Sequence, residues 1–203
     1  PSRILIDPGH GGDDPGCMYQ GARESYLTLA TAKALSQTLA AMGFKVALTR
    51  DRNIFVPLEK RSAMAASWKA DLFVSLHINS VGSTAIRGPE THVFPPRYAP
   101  PTKTSETISE AHPGQAAAAA SACLGYELQK ALEAVTRESG RSLKHSNFFV
   151  LRETPCPAAL VELGYISHPQ ERAQLLSSAH QKALALAIAS GIRRYRDRRQ
   201  AIR

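Results

Sequence analysis

The sequence predicts a single α/β domain, built on a sheet of about six strands, mostly parallel or mixed, with helices on both faces. Short apolar runs alternate with helical patterns throughout the chain. The chain shows no internal repeat and no sign of a second domain. Its 203 residues, 43% of them hydrophobic, can bury one sizeable core. The domain is therefore expected to span residues 1–203.

The first part of the chain reads strand, helix, strand, helix, strand. The helix predicted at 24–42 has apolar residues at helical spacing and is followed by Gly43, a residue favoured just after a helix. Pro57 suits the first position of a second helix, 57–69. Apolar or alternating runs that end in turn residues predict three strands at 3–7, 45–50 and 72–78.

The second part of the chain continues the alternation. The segment 97–115 is rich in Pro, Ser and Thr and lacks periodicity, which indicates a surface insertion. An alanine-rich helix is predicted at 116–139, and a last helix at 175–195. Short apolar runs predict three further strands at 88–94, 148–151 and 158–163.

Charge and hydropathy limit the classes of function. The chain has 25 Lys and Arg against 17 Asp and Glu, a net charge of +8, which favours an anionic partner or simply solubility. No run reaches the roughly 18 to 20 apolar residues of a membrane span, so no integral membrane segment is expected. The arginine-rich end, 193–203, is more typical of a solvated helix face than of a nucleic-acid site, since few aromatic residues accompany it.

The cysteines predict neither a disulfide scaffold nor a structural zinc site. Cys17, Cys123 and Cys156 are few and widely spaced. We expect them to behave as small apolar residues, although one bridge with a third, free thiol is also consistent with the count.

Four side chains could carry chemistry at one edge of the sheet. His10 and His77 lie at or just beyond the ends of predicted strands, Glu24 opens the first helix, and Glu162 interrupts an apolar strand. Two imidazoles and a carboxylate suit a catalytic zinc ion, with a second carboxylate as base. Each residue also has an ordinary structural role: a turn, a helix-dipole acid, a core histidine or a salt bridge. Spacing alone leaves both interpretations open.

Eight short blocks favour the chemical interpretation. The chain resembles the zinc-dependent N-acetylmuramoyl-L-alanine amidases of the Amidase_3 family, whose motifs run in the same order from residue 3 to about 192. The blocks are Asp7-Pro-Gly-His-Gly-Gly12, Asp14-Pro-Gly16, Glu24, Leu48-Thr-Arg-Asp51, Asp71-Leu-Phe-Val-Ser-Leu-His-Ile-Asn79, Gly88-Pro-Glu-Thr91, Asn147-Phe-Phe-Val-Leu-Arg152 and Val161-Glu-Leu-Gly164.

The resemblance implies a site and a reaction. His10, Glu24 and His77 correspond to the ligands of one Zn²⁺ per chain, and Glu162 corresponds to the catalytic glutamate. The implied reaction is hydrolysis of the amide between the lactyl group of N-acetylmuramic acid and the L-alanine of the peptidoglycan stem peptide. Glu90, in the Gly-Pro-Glu-Thr block, is a weaker candidate for a second catalytic acid or for an orienter of a ligand imidazole.

Two other polar residues near the predicted ligands have open roles. Asn79 shares a strand face with His77 and is expected either to bind substrate or support the site, or to cap the strand end. Asp7 is expected either to orient an imidazole or to brace the turn. Five further histidines match no ligand position of the family: His92, His112, His145, His168 and His180.

The insertion at 97–115 raises the question of inhibition. Some members of the family carry a helix in this region that blocks the zinc and is displaced by a protein activator. Glu106 and Glu110 could share a helix face and reach the metal, but Pro100, Pro101 and Pro113 favour an open loop.

These observations predict a zinc hydrolase of the cell wall, expected as a monomer. Peptidoglycan is its expected substrate, so the expected location is the periplasm, the cell envelope or the extracellular space, and a leader or anchoring region is expected to precede the sequence. Nucleic acid is not an expected partner, and a protein activator stays an open alternative. The competing hypothesis is a non-catalytic peptidoglycan-binding module on the same fold, against which the four intact residues argue.

Overall fold

The computed structural model describes residues 3–138 and 141–201 and contains a central sheet with a small hairpin beside it. The described strands are β1 (Arg3–Pro8), β2 (Met18–Tyr19), β3 (Ala22–Arg23), β4 (Lys45–Leu48), β5 (Leu72–Asn79), β6 (Glu90–Val93), β7 (Leu143–His145) and β8 (Ala158–Tyr165). The described helices are α1 (Glu24–Ala41), α2 (Leu58–Ser67), α3 (Ala118–Thr136), α4 (Phe149–Arg152), α5 (Pro169–Leu175) and α6 (Ser178–Ala201). A short 3-10 helix, Pro113–Ala117, precedes α3.

The central sheet has six strands in the order β4-β1-β5-β8-β6-β7. The first four are parallel, β6 runs antiparallel to β8, and β7 is parallel to β6. The carboxyl ends of β1, β5 and β8 therefore meet the amino end of β6 at one edge of the sheet. In this register Glu162 of β8 lies opposite His77 on one side and Glu90 on the other.

Both faces of the sheet are covered, as the near-continuous apolar strands predict. One face packs against α1, α3 and α6 in a large cluster that includes Leu35, Leu128 and Ile188. The opposite face packs against α2 and α4 in a smaller cluster around Phe73 and Leu160. The predicted α/β class, the six-stranded mixed sheet and the helices on both faces are thus confirmed.

The prediction of a strand at 148–151 is wrong, because residues 149–152 form α4 and Phe148 precedes this helix. A short apolar run fits a buried helical turn as well as a strand, and here Val150 and Leu151 bury their side chains against the sheet. The sixth strand is β7, which the sequence analysis missed. It is a half-buried edge strand containing Lys144 and His145, so it has no apolar run to reveal it.

Some boundaries also differ from the prediction. The last helix, α6, begins at Ser178 and continues to Ala201, while the separate helix α5 precedes it. Within the described part of the chain, no helix is both long and apolar enough to cross a membrane.

The segment 97–112 forms no helix or strand, so the described structure contains no helix carrying Glu106 and Glu110. The Tyr98 amide donates to the Ile108 carbonyl (3.0 Å), which closes the base of a loop. The Thr102 amide donates to the His145 carbonyl (2.8 Å), which fastens this loop to the end of β7.

Candidate metal centre

Three side chains meet at the carboxyl edge of the sheet. His10 lies in the turn after β1, Glu24 is the first residue of α1, and His77 lies near the end of β5. Glu24 Oε1 is 3.2 Å from His10 Nε2 and 2.9 Å from His77 Nδ1. One potential ligand atom from each residue lies within 4.8 Å of the others. The predicted ligand set is therefore brought together and could hold a metal ion.

The carboxylate of Glu24 is fixed by two backbone amides. The Cys17 amide donates to Oε2 (2.8 Å), and the Ile78 amide donates to Oε1 (3.0 Å). Burial alone would raise the pKa of Glu24, but hydrogen bonds and charge attraction from His10 and His77 hold that pKa well below its usual range. Burial would lower the pKa of His10, yet contacts with Glu24 and other acids raise it to about 9. The cluster thus attracts positive charge.

The turn that carries His10 is held by two buried arginines. His10 has a left-handed backbone with φ of 61°, a strained conformation for a non-glycine residue. Arg61 Nη2 donates to the His10 carbonyl (2.9 Å), and Arg50 Nη2 donates to the Gly9 carbonyl (2.8 Å). A Cβ atom on Gly9 would lie 2.4 Å from the His77 ring, so only glycine fits there. The hydrogen bonds from the two arginines therefore hold the strained backbone of His10, a predicted ligand, in place.

Asp14 contacts the imidazole of His10, one of the three candidate ligands. Its Oδ2 atom is 2.7 Å from His10 Nδ1, which leaves Nε2 facing Glu24. A carboxylate on the second ring nitrogen commonly fixes the tautomer of a metal-ligating histidine. The sequence analysis did not predict this role for Asp14, although Asp14 belongs to the Asp14-Pro-Gly16 block that it identified.

Asp7, the residue for which that role was left open, contacts no imidazole. It is fully buried and bonded to Arg61 Nη1 (2.8 Å), Thr49 Oγ1 (2.6 Å) and Ser75 Oγ (2.8 Å). These contacts join β1 to β5 and to the start of α2. Of the two alternatives, the geometry favours bracing of the turn.

Glu162 lies beside the three candidate ligands in an unusual electrostatic environment. Its Oε2 atom is buried and has no hydrogen-bond partner in the described residues, and no arginine pairs with it there. Burial raises the pKa of Glu162 to about 7, although His77 and His10 lower it and Glu24 and Glu90 raise it further. This carboxyl group can take up and release a proton near neutral pH.

Glu90 lies one strand beyond Glu162, and both of its carboxylate oxygens are engaged. Arg141 Nε (2.7 Å) and the Tyr165 hydroxyl (2.6 Å) donate to Oε1, while Lys144 Nζ (2.8 Å) donates to Oε2. Burial acts to raise the pKa of Glu90, but contacts with His92, Lys144 and Tyr165 hold that pKa far below its usual range. The imidazole near Glu90 is that of His92, at 3.6 Å, which is not one of the candidate ligands.

Asn79 and the remaining histidines have contacts of their own, distinct from the His10, Glu24 and His77 cluster. The Ser80 amide donates to Asn79 Oδ1 (2.8 Å), which is typical of a residue that caps a strand end. His92 is hydrogen-bonded through Nδ1 to Ser146 Oγ (2.8 Å). Within the described residues, the possible metal cluster contains none of His92, His112, His145, His168 and His180.

All three cysteines are free, so the bridge that their number would have allowed is not formed. Burial and the nearby Glu24 carboxylate raise the pKa of Cys17 to about 12, and burial raises that of Cys156 to about 12. These thiols are protonated at neutral pH and therefore weak ligands and nucleophiles.

A cavity of about 510 Å³ opens above the candidate ligands and Glu162. No residue of 97–115 lines it, so the insertion does not cover this opening. Its walls are largely apolar and are formed by Phe55, Val56, Leu58, Phe148, Phe149, Val150 and Leu160.

Fold and site together define a class: an α/β domain with a candidate metal centre at the carboxyl edge of its sheet, next to a buried acid, as in hydrolytic metalloenzymes. A sequence profile of the Amidase_3 family, described as N-acetylmuramoyl-L-alanine amidase, matches residues 4–194. The chain belongs to this family of peptidoglycan-cleaving enzymes, as its motifs predicted.

Individual relatives agree with this assignment. The chain is 36% identical over 194 residues to the N-acetylmuramoyl-L-alanine amidase CwlM of Bacillus licheniformis, covering 95% of this chain and 68% of that protein. It is 35% identical to a sporulation-specific N-acetylmuramoyl-L-alanine amidase of Bacillus subtilis, covering 94% of this chain and 66% of the relative. It thus spans about two thirds of the length of these proteins.

Solved structures of amidases match this chain over almost their whole length. The catalytic domain of CwlV, an amidase from Bacillus (Paenibacillus) polymyxa, superimposes with a TM-score of 0.80 at 32% identity, covering 97% of this chain and 98% of that one. The CwlD amidase of Clostridioides difficile, solved in complex with the GerS lipoprotein, has a TM-score of 0.82 at 23% identity, covering 97% and 99%, and shows the shared fold alone.

Proposed function

We propose that this domain hydrolyses the amide bond between the lactyl group of N-acetylmuramic acid and the L-alanine of the stem peptide, using one zinc ion. Membership of the amidase family supports the bond that is cleaved. The observation that carries the proposal is the buried Oε2 atom of Glu162, which has no hydrogen-bond partner in the described part of the chain and lies beside His10, Glu24 and His77. An apolar strand has no structural use for such an atom, because an unsatisfied carboxyl group destabilises the fold.

The residues present fit zinc. Two imidazole nitrogens and one carboxylate oxygen are the donor set of many catalytic zinc sites, and three protein ligands leave a position for water or substrate. The raised pKa of His10 and the lowered pKa of Glu24 mark a cluster that gains from a cation. When bound, zinc would lower the pKa of water toward about 7 and polarise the scissile carbonyl.

Glu162 would move the proton in this reaction. Its carboxylate accepts a proton from the attacking water, and the water oxygen forms a bond to the lactyl carbonyl carbon. Cleavage of the carbon–nitrogen bond follows, and Glu162 returns the proton to the departing alanine amine. The products are a lactyl carboxylate and a free amino terminus, and no covalent enzyme intermediate is needed.

Other side chains would keep this geometry in place. Asp14 holds the His10 ring, and Arg50 and Arg61 hold the backbone of its turn. Once substrate fills the cavity, its apolar walls and the substrate would displace water and so strengthen electrostatic interactions at the scissile bond. Glu90 is the weaker candidate for a second catalytic acid, because its oxygens are already bound.

The proposed substrate determines the proposed location and partners. Peptidoglycan lies outside the cytoplasmic membrane, so we place the protein in the periplasm, the cell envelope or the extracellular space, as a monomer. Its net charge of +8 favours approach to an anionic wall. The open cavity favours activity without a displaced inhibitory helix, and a protein activator stays a secondary proposal. No feature favours nucleic acid, and the intact ligand set argues against a non-catalytic module.

The test is zinc content together with hydrolysis of purified muropeptides, with and without a chelator. We expect one zinc per chain and chelator-sensitive release of stem peptide, restored by added zinc. Zinc without hydrolysis would contradict the activity of the isolated domain and point to a missing activator. Absence of zinc would overturn the metal assignment.

A further inference from the structure

A cluster of charged residues lies on the site face of the sheet beyond Glu162. Glu90 on β6 is directly opposite Glu162, and Lys144 on the edge strand β7 pairs in register with His92. Because alternate residues of a strand share a face, Glu90, His92 and Lys144 lie on the same face as the candidate metal centre. Arg141 approaches the same carboxylate from just before β7.

The cluster holds more positive charge than Glu90 needs. Two cations, Arg141 and Lys144, surround one carboxylate, and the nearby Arg87 is already paired with Glu138 (3.0 Å). Both cationic side chains keep some exposure, 30% for Arg141 and 17% for Lys144. In the described structure, Lys144 Nζ has one hydrogen-bond acceptor, Glu90, so other N–H donors of its ammonium group are free for a ligand.

The distance from the scissile bond suits the next residue of the substrate. The cationic groups converge on Glu90, which lies one strand from Glu162, and neighbouring strands are about 4.8 Å apart. An extended peptide advances about 3.5 Å per residue. A stem peptide that leaves Glu162 across β6 therefore brings the residue after the alanine to Arg141 and Lys144.

We propose that Lys144 and Arg141 form a subsite for a carboxylate on the residue that follows the alanine of the stem peptide. This inference rests on the proposed function and deepens it, because it assigns the direction of the peptide across the sheet and a preference for acidic over amidated stems. Glu90 is the positioning residue that aligns the two cations. The largely apolar cavity walls, in which Arg61 is paired with Asp7, receive the uncharged groups around the scissile bond.

The test compares two synthetic substrates of the zinc-loaded enzyme, both with the γ-carboxyl group of the second residue blocked as a methylamide: N-acetylmuramoyl-L-alanyl-D-glutamate, with a free α-carboxylate, and the matching compound with an α-carboxamide. We expect kcat/KM to favour the carboxylate by about tenfold or more at low salt, mainly through KM, since a charge-assisted hydrogen bond is lost in the amide. The ratio should fall toward one in 1 M salt, where charges are screened beyond about 3 Å.

Variants test which side chains cause the preference for the carboxylate over the amide substrate. Lys144→Met is expected to reduce the ratio several-fold while the enzyme still hydrolyses the amide, whereas the control Lys130→Met, on the distant helix α3, should preserve the ratio. A ratio near one for the wild type, or an undiminished ratio in folded Lys144→Met, overturns the subsite. If Lys144→Met does not fold, the subsite is tested with Arg141→Met and with the salt series on the wild type. An undiminished ratio in folded Arg141→Met, or a ratio that does not fall in high salt, overturns the subsite. Hydrolysis of neither substrate overturns the proposed function and the subsite together.

Discussion

Three glutamates at one sheet edge have different chemistry because their partners differ. Glu24 is surrounded by imidazoles and backbone amides, Glu90 by cations, and Glu162 has a buried oxygen with no hydrogen-bond partner among the residues that the structure describes. The first two are therefore held ionised, while burial keeps the pKa of Glu162 near 7. Glu162 could be singled out from the sequence, because burying an acid in an apolar strand is energetically unfavourable. The sequence could not reveal that the charge of Glu90 is neutralised by Arg141.

Glu162→Gln tests the proton transfer directly. The amide keeps the shape of the side chain but cannot accept a proton, so we expect kcat to fall by about 10² to 10⁴-fold. Zinc content should be unchanged, since Glu162 is not in the ligand cluster. Turnover within a few-fold of the wild type, measured on the same muropeptide, would show that another group is the base.

Asp14→Asn tests the orientation of His10. Loss of the carboxylate weakens the 2.7 Å contact with Nδ1, and outer-sphere substitutions of this kind typically lower metal affinity by about 10 to 100-fold. We expect such a loss in a competition titration with a zinc-binding dye. The exposed neighbour Asp13 provides the matched control, and Asp13→Asn should bind zinc as the wild type does.

The lowered pKa of Glu90 predicts that the stability of the folded domain depends on pH. The pKa of Glu90 in the folded protein is below the ordinary value of 4.5, so its ionised form stabilises the fold above about pH 4.5, and this contribution is lost as pH falls toward the lower, folded value. Glu90→Gln should therefore cost about 1 to 3 kcal/mol near neutral pH, since a buried, charge-assisted network is broken.

The difference between wild type and Glu90→Gln should shrink in acid. Urea unfolding of both proteins at a series of pH values from neutral to about 3 measures it. A difference in unfolding free energy that stays constant over this range would show that Glu90 is not specifically stabilised as a carboxylate.

At the scale of elements, the pattern of apolar residues predicted the buried strands and the long helices but failed where an element is short or lies at an edge. The run 148–151 is apolar because α4 packs on the sheet, and four residues cannot distinguish a helical turn from a strand. Strand β7 escaped because its pairing with β6, rather than an apolar pattern, creates it. Elements that depend on a distant partner are not encoded in local periodicity.

The insertion gives a prediction at this scale. Its base is closed by the backbone hydrogen bond between Tyr98 and Ile108, so residues 99–107 can be replaced by a two-residue Asn-Gly turn. We expect kcat/KM to stay within about twofold and stability to change little, because loop-closure cost depends weakly on length and no part of 97–115 lines the cavity.

The outcome of this deletion separates the two hypotheses for the insertion. A rise in activity of tenfold or more, at unchanged zinc content, would indicate that the loop occludes the site in solution. Circular dichroism and a thermal melt of the shortened protein check that β7, to which Thr102 is hydrogen-bonded, remains in place.

At the scale of the whole molecule, strand order decides which distant residues become neighbours. The sequence predicted that strand ends would meet at one edge, and this rule sufficed to group His10 with His77. It did not predict that β6 reverses direction, which is why Glu90 reaches the same edge from the amino end of its strand. Direction in a mixed sheet depends on long-range pairing that local patterns do not encode.

The same architecture predicts how the protein responds to metal removal. The two apolar clusters and the arginines that hold the His10 turn do not depend on an ion, so the domain should stay folded in a chelator at 25 °C. Zinc that binds only the folded state stabilises it by about 2.7 kcal/mol at a hundredfold excess over Kd. For about 200 residues this corresponds to a rise in Tm of roughly 5 to 10 °C.

Thermal melts with zinc and with chelator measure this shift, and two variants assign it. Glu162→Gln should keep the full shift because it retains the ligands, whereas His77→Ala should lose it while remaining folded. Unfolding of the wild type by chelator at 25 °C would mean that the metal, and not the sheet with its packed helices, holds the site together. A shift that persists in His77→Ala would place the stabilising ion elsewhere, because a site built from His10, Glu24 and His77 cannot bind zinc at full strength with one ligand removed.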